Sequence, residues 1–549
     1  MEKENPLIGN VTLRNRLVMA PMISNLANPD GSPSDSQIEY LARRALGGVG
    51  LIITEYTYIN SRNSRGSRNQ MGIYSDLYAP KLRRLTDRIH SFGTPVFCQL
   101  VHAGGKALTN LNSGPNIAPS PIEYNGLVPN EMSIADIEEI IEDFVHAARI
   151  ARQVGFDGVE IHGAHGYLVQ EFISPSLNMR SDRYGGNIEN RVRFPNEIVA
   201  SVKSEIDMPV GIRLSLYEDD QGGYDADYGL KVADSISGID YVHFSAGRNA
   251  PPGSSASFYS PHNHILRRIG RKSRHPTMVV GSINSPADID EALRIADFVS
   301  LGRALLADPG FSSKIILGNQ EIRPCIRCNQ GCRNLTYGEV RCTVNPETGF
   351  ESLPDPFPGH MDAHIEISGA GIKGMEAAVY AARHGMDVVV YEISERIGGQ
   401  INEISDPFKK SEFQRLIDYY WNELKRLGVE IRYNEAGPPG SLNCSPDILY
   451  PELTPVGELR IDSNIYKYHD DALRFADEFP VFMTERSLSS LDRSRAFSYR
   501  KIAEEKGVKF VKDMKNPDIS LFQSRQYDIL AAMQSGRSAV IRHVAALQR

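Results

Sequence analysis

Between residues 16 and 303 the chain repeats one unit eight times: a short, almost uninterrupted apolar run, then a stretch whose apolar residues recur at helical spacing. The runs are LVMAP (17–21), GLIITE (50–55), PVFCQL (95–100), GVEIHG (158–163), PVGIRLS (209–215), YVHFSAG (241–247), TMVVGS (277–282) and FVSLGR (298–303). Strands buried on both faces need no polar alternation, so eight such units predict a (β/α)8 TIM barrel. Two of the helical stretches, SIADIEEIIEDFVHAARIARQVG and SPADIDEALRIA, open on serines suited to cap them.

Chemistry in such barrels sits at the C-terminal strand ends, which makes the polar residues closing each run the candidates. After the fourth run come His162, His165 and Tyr167. Two imidazoles three residues apart can converge on one substrate oxygen, and a phenol two further on can supply a proton. The alternative is that one histidine caps a helix and the tyrosine packs. Gln99 closes the third run and Arg213 the fifth, while Gly281-Ser282 and Gly302-Arg303 close the last two. Glycine turns there can hold a phosphate on backbone N–H groups. Arginine and glutamine at strand ends also pair simply with neighbours.

The segment PCIRCNQGCRNLTYGEVRCTVNPETGFE (324–351) carries four of the six cysteines: Cys325, Cys328, Cys332 and, nine residues on, Cys342. Three thiolates within eight residues are poorly spaced for disulfides but can wrap one soft centre while a returning segment brings the fourth. A [4Fe-4S] cluster fits; a zinc knot and metal-free thiols remain alternatives. Residues 364–400 then read as an apolar strand, Gly369-x-Gly371-x-x-Gly374, a helix, and a second apolar strand ending in Glu392. This is a dinucleotide fingerprint, with glycines admitting a pyrophosphate to the helix N-terminus and the acid taking ribose hydroxyls.

At 549 residues three or four domains are expected, fewer where one is a barrel. A net charge of −8 and the lack of a basic tract argue against nucleic-acid binding. The opening MEKENPLIGN lacks a signal-peptide layout, and no apolar run approaches a membrane span. With Cys98 and Cys444 isolated, the cysteine usage predicts a reducing, cytoplasmic setting.

APM (20–22), Gln99 with His102, EIHGAHGYLVQEFISPSLNMRSDRYGGNIENRVRF (160–194) and LGRALLADP (301–309) resemble the old yellow enzyme barrel. With the cysteines and the fingerprint, the chain is similar over residues 5 to 435 to the branch of 2,4-dienoyl-CoA reductase, enoate reductase and trimethylamine dehydrogenase. The resemblance implies FMN in the barrel, a [4Fe-4S] cluster on the cysteines, and FAD or ADP in the second half. By position it implies that Pro21, Met22, Ile23, Tyr56, Gln99 and Arg213 contact the isoalloxazine and that Gly281, Ser282, Gly302 and Arg303 surround the phosphate. His162 and His165 would bind a substrate carbonyl and Tyr167 would donate the proton. Gln400 and Lys410, after Gly398-Gly399, resemble FAD contacts. Ile23 stands where some relatives have cysteine or threonine, and the cysteine of a covalent flavin link is absent. Trp421 is the sole tryptophan and lies outside the barrel, which excludes a tryptophan cage for a methylated amine and leaves a tyrosine cage of Tyr56 or Tyr58.

Beyond Glu435 the resemblance fades: EAGPPGSLNCSPDILYPELTPVGELRI has no Gly-x-Gly, VFMTERSLSSLDRSRAFSYRKIAEEKGVKFV (481–511) has a strand ending in Glu485 and a helix, and AAMQSGRSAVIRHVAALQ reads as an amphipathic helix. The expected organisation is an FMN barrel (1–320), a cluster segment and linker (321–360), a Rossmann-like module for FAD or ADP (361–435) and a shortened remnant of the nucleotide region (436–549). The expected activity is reduction of the C=C bond of an enone or enoyl-type substrate, with electrons from NAD(P)H or a redox protein. Amine or saturated-substrate dehydrogenation through the cluster, and a cofactor-binding scaffold, are the alternatives; a homo-oligomer is left open. The substrate pocket depends on loops such as RNAPPGSSASFYSPHN (248–263).

Overall fold

The computed structural model describes residues 5–218, 222–248, 265–318, 321–333, 335, 338–357, 359–404, 407–445, 451, 453–491, 493–523 and 529–547. All eight expected strands form: β1 (Leu17–Met19), β2 (Leu51–Ile53), β3 (Val96–Val101), β4 (Gly158–Gly163), β5 (Val210–Ser215), β6 (Tyr241–Ser245), β7 (Thr277–Val280) and β8 (Phe298–Leu301). Each pairs in parallel with its neighbours and β8 returns to β1, which closes the barrel. Every residue of β3, β4 and β5 is buried, the pattern that made these runs apolar throughout.

Between strands run α1 (Asp35–Leu46), α2 (Ala79–His90), α3 (Ile134–Gln153), α4 (Arg193–Glu205), α5 (Ala226–Ser235) and α6 (Pro286–Leu293). The serine caps are real. Ser133 accepts the N–H of Asp136 in a full capping box, and Ser285 accepts that of Asp288 with Pro286 in the first turn. From residue 249 the pocket loop 248–263 lies outside the described residues. At the N-terminal mouth an antiparallel pair, Leu7–Ile8 with Val11–Thr12, brings Ile8 and Leu13 against Val18, Leu51, Ile53, Phe97, Tyr241, Met278 and Phe298. That end is therefore an apolar plug, and the polar strand residues gather at the other.

The fingerprint module is a parallel sheet of β9 (His364–Ser368), β10 (Asp387–Glu392), β11 (Glu430–Tyr433) and β12 (Leu442–Asn443), ordered β11-β10-β9-β12. Its helices are α7 (Ile372–Arg383) and α8 (Pro407–Arg426). A second parallel sheet holds β13 (Leu459–Ser463), β14 (Val481–Thr484), β15 (Lys509–Val511) and β16 (Ile519–Leu521), ordered β15-β14-β13-β16, with α9 (Tyr466–Phe475) and α10 (Arg493–Glu505). The two sheets share one strand order, and the second has its own apolar core around Leu459, Ile461, Tyr468, Leu473 and Met483.

Residues 436–549 therefore depart from the single remnant expected. Strand β12, past the boundary at 435, pairs with β9. The terminal helix α11 (Ile529–Leu547) returns to pack on α7, so close at Gly536 that a Cβ there would meet the Lys373 carbonyl at 2.3 Å. Residues 459–523 form a nucleotide-type sheet inserted between these two pieces. Its strand and helix within 481–511 form as expected, whereas its first strand enters α9 through Asn464-Ile465, without the glycine turn that marks such modules.

Candidate active site and metal centre

Register does much of the assembly. Arg213 on β5 lies opposite His162 on β4 and His243 on β6, and Gln99 on β3 lies opposite Glu160 on β4. Glu160, fully buried, accepts from Gln99 Nε2 at 2.6 Å and from the Tyr241 hydroxyl at 2.9 Å, and contacts His243 Nδ1 at 3.0 Å. Burial alone would raise its carboxyl, but His243 and Arg213 outweigh that and bring it down, so it stays ionised. Burial lowers the Arg213 guanidinium to about 10, still protonated at neutral pH. It donates to the Pro21 carbonyl and to Ser245 Oγ, each at 3.3 Å. Arg213 Nε and Gln99 Oε1 are buried with no hydrogen-bond partner among the described residues. Buried polar atoms seldom stay unpartnered, and these two belong to residues expected to touch a flavin ring, so the cradle fits that group.

The sequence His162-Gly163-Ala164-His165-Gly166-Tyr167 leaves β4 as a tight turn with His165 at φ 60° and Gly166 at φ 72°. The turn packs the His162 ring 5.2 Å from His165 and 5.1 Å from Tyr167, centre to centre. Tyr56 closes the group, 6.0 Å from His162 and 5.3 Å from Tyr167. Burial, then the positive charge of Arg213, pulls both histidines well below the ordinary imidazole value, so both are neutral. His162 Nδ1 accepts the Ala164 N–H at 3.3 Å, which leaves the proton on Nε2. His165 Nε2 contacts Ser245 Oγ at 2.7 Å. Burial raises the Tyr167 phenol above its ordinary value and keeps it protonated. His102, just after β3, is structural: Nε2 meets Asn63 Oδ1 at 2.9 Å and burial takes it down to about 3. Tyr58 is buried with its hydroxyl donated to the Asp30 carbonyl at 3.0 Å, which leaves Tyr56 as the cage candidate.

The turns after β7 and β8 come together. Gly281 and Ser282 have φ 126° and 50°, and Arg303 donates to Ser282 Oγ at 3.2 Å. A Cβ on Gly302 would stand 3.1 Å from Met22 Sδ, so the last turn abuts the residues after β1, where half-buried Ile23 follows. These turns also carry the cysteine loop. Arg303 Nη1 donates to Asn329 Oδ1 at 2.7 Å, Asn284 Nδ2 to the Cys325 carbonyl at 2.8 Å, and Arg327 Nη2 to the Ser282 carbonyl at 3.0 Å. From the β1 side, Asn25 Nδ2 donates to the Leu335 carbonyl at 2.7 Å, and the Val340 N–H donates to the Ser24 carbonyl at 2.8 Å.

Cys325, Cys328, Cys332 and Cys342 line one cavity with Arg303, Asn329 and Thr343. Among the described residues no group of three or more His, Cys, Asp or Glu side chains is arranged to hold a metal ion. Burial and the neighbouring Cys328 push the Cys332 thiol up to about 12, and burial raises Cys342 as well. Thiols so placed keep their protons unless a cation offsets their charge. Four sulfur donors lining one cavity are the donor chemistry that a sulfur-ligated centre, iron–sulfur or zinc, requires.

In the fingerprint module Gly369 has φ 100°, and a Cβ on Gly374 would stand 1.8 Å from the Gly369 carbonyl oxygen. Around Gly371, at the start of α7, no neighbour lies within 4 Å of a would-be Cβ, which leaves room for a phosphate. Glu392 accepts the Ala370 N–H at 2.7 Å and so is fixed beside the glycine turn. Gly399, next to Gln400, closes on Gly371 Cα, whereas Lys410 is exposed on α8. The module fits a dinucleotide.

The model of the NADH:flavin oxidoreductase / NADH oxidase family matches residues 5–321. The chain belongs to that family. A NAD(P)-binding Rossmann-like domain matches residues 367–426 of this oxidoreductase. It is 38% identical over 443 residues to an NADH oxidase of Thermoanaerobacter brockii, covering 77% of this chain and 68% of that one. It is 31% identical over 468 residues to a cinnamate reductase of Clostridium sporogenes, covering 78% and 70%. In fold it resembles a 2-naphthoyl-CoA reductase bound to 2-naphthoyl-CoA, with a TM-score of 0.87 at 22% identity over 98% of each chain. The old yellow enzyme resemblance of the barrel is borne out, and the protein is a flavin-dependent oxidoreductase. No described helix is long and apolar enough to cross a membrane. Sequence reasoning missed Glu160, an acid within strand β4, and Lys106 and Arg327, whose partners lie far off in sequence.

Proposed function

We propose that this oxidoreductase reduces the C=C bond of a small α,β-unsaturated carbonyl compound. The observation that carries the reading is the convergence of two neutral imidazoles with a protonated phenol at one strand end. His162 donates Nε2–H to the carbonyl oxygen and His165 supports it from the other side, so negative charge developing on that oxygen is met by fixed donors in a dry site. Neutral donors polarise the carbonyl without holding an anionic product. Tyr167 protonates the α-carbon, and its raised phenol keeps the proton available through the neutral range.

FMN bound by Pro21, Met22, Ile23, Tyr56, Gln99 and Arg213, with its phosphate at Gly281, Ser282, Gly302 and Arg303, would supply the hydride. A [4Fe-4S] cluster on Cys325, Cys328, Cys332 and Cys342 would supply single electrons. What favours iron–sulfur over zinc is the company of the loop, tied by Arg303 and Arg327 to the phosphate turn. Gly369, Gly371, Gly374, Glu392, Gln400 and Lys410 would hold FAD or ADP. NAD(P)H or a redox protein is the electron donor. The cinnamate reductase relative supports C=C reduction.

Amine oxidation is the second reading, favoured by Tyr56 standing 5.3 Å from Tyr167 as the start of an aromatic cage. Anaerobic stopped-flow spectroscopy separates the two: an enone should reoxidise the reduced flavin within the mixing series, and a methylated amine should leave the oxidised flavin unbleached. The opposite pair of results would reverse the assignment.

A further inference from the structure

Lys106 meets the ends of three barrel strands. It closes the short helical turn Gly104–Lys106 after β3, and its Nζ donates to the carbonyl of His165 after β4 and to that of Arg248 after β6, both at 2.8 Å. The His165 carbonyl belongs to a residue in the left-handed region, which side-chain-bearing residues adopt only where surrounding contacts hold them. On its N–H side the same residue is held by Ser215 Oγ at 3.2 Å. The ammonium fills the space over Gly166, where a Cβ would stand 2.6 Å from Nζ.

Two aromatic faces flank the ammonium, Tyr124 at 4.9 Å and Tyr167 at 5.8 Å from their ring centres. Tyr124 belongs to a hairpin tip closed on itself: the Tyr124 and Leu127 N–H groups each donate to the other's carbonyl, at 2.8 and 3.1 Å, across Asn125 at φ 52° and Gly126 at φ 81°. An Asn-Gly pair of that geometry makes a stiff two-residue turn. The tip therefore carries the Tyr124 ring beside the ammonium, and the ammonium is hydrogen-bonded to the backbone of His165, two residues before Tyr167.

We infer that Lys106 is a positioning residue, which sets His165 and Tyr167 in the relative placement that carbonyl binding and α-protonation require. This rests on the reading of His165 as a ligand of the substrate carbonyl. A misplacement of about 1 Å costs a reaction roughly 10²-fold, whereas outer-sphere oxidation of a flavin needs no such placement.

The test uses Lys106→Met, which keeps an unbranched apolar stem and removes the donors, and Lys106→Arg, which restores them. Each holoprotein is reduced anaerobically and reoxidised with an enone or with ferricyanide. Lys106→Met should lower the limiting rate with enone about 10²-fold, leave ferricyanide reoxidation and flavin content at wild-type values, and be partly rescued in Lys106→Arg. Unimpaired enone reoxidation in Lys106→Met overturns the inference alone. An equal loss with both oxidants, with flavin released, overturns it in favour of a general structural role. A wild-type protein that no enone reoxidises overturns the carbonyl-clamp reading, and this inference with it.

Discussion

Arg327, between the first two cysteines of the loop, donates to the Ser282 carbonyl at 3.0 Å, at the turn suited to a flavin phosphate. The same guanidinium donates to Asn284 Oδ1 at 2.9 Å and pairs with Glu412 on α8, both partners buried. One side chain thus pins barrel, cysteine loop and nucleotide module together.

Arg327→Met should therefore disturb two cofactor sites at once. Removing one partner of a buried pair strands the other, at about 3–5 kcal/mol. Iron and flavin should both fall after anaerobic purification, measured by iron assay and flavin absorbance. Loss of one without the other would show that the turn and the loop are independent.

Wild-type protein prepared without oxygen should be brown and carry about four iron and four sulfide per chain. A Cys328→Ser variant should lose most of both while keeping flavin in the barrel. Stoichiometric zinc with no sulfide would remove the relay.

Tyr167→Phe should slow C=C reduction by about 10²–10⁴-fold, the usual share of a positioned proton donor, without changing flavin content. The pH dependence follows from the shifts. The histidines, pulled down, are neutral and Tyr167, pushed up, is protonated throughout the neutral range, so the rate should be flat there. It should decline only in strong alkali, above the ordinary phenol value of 10.0. A rate that titrates near neutrality would place another group in charge of the proton.

The barrel could be seen in advance because buried parallel strands write themselves as apolar runs, and the polar residue ending each run marks the site. The grouping of His162, His165 and Tyr167 could be read because one turn carries all three. Glu160 and Lys106 could not, since their roles arise from register and from carbonyl groups that no side-chain pattern records. The inserted sheet was legible only in part, through the strand and helix at 481–511, for a different reason. Its order β15-β14-β13-β16 matches the fingerprint sheet, but the recognisable mark of such a module is the glycine turn, and Asn464 stands there.

Asn464 also closes the crevice at that sheet's switch point: its Nδ2 donates to the Gln523 carbonyl at 2.8 Å and its Oδ1 accepts the Gln523 N–H at 2.9 Å. Open α/β sheets bind ligands at that point. NADPH should therefore reduce the flavin slowly and without saturation, as followed by anaerobic absorbance. Fast, saturating reduction through a second flavin would show that the module binds nicotinamide.

Glu376 on α7 receives Arg537 of α11 at 2.6 Å, Tyr420 of α8 at 2.7 Å and Arg323 at 3.1 Å. Burial alone would raise this carboxyl, but Arg323 and Arg537 outweigh it and bring it down from 4.5 to about 2. A carboxyl depressed on folding stabilises above its unfolded value and loses that contribution as pH falls through the folded one. Fluorescence of Trp421, adjacent to Tyr420, should report loosening between pH 4.5 and about 2. Glu376→Gln should lower stability at neutral pH and flatten that acid limb.

The most direct measurement is a single turnover by anaerobically reduced protein in deuterated water, with the product analysed by mass spectrometry. One equivalent of enone should become the saturated ketone with solvent deuterium at the β-carbon, because the transferable hydrogen of a reduced flavin exchanges with solvent, and at the α-carbon, and Tyr167→Phe should form it far more slowly. Unreacted enone beside a flavin that an amine readily bleaches would contradict the account.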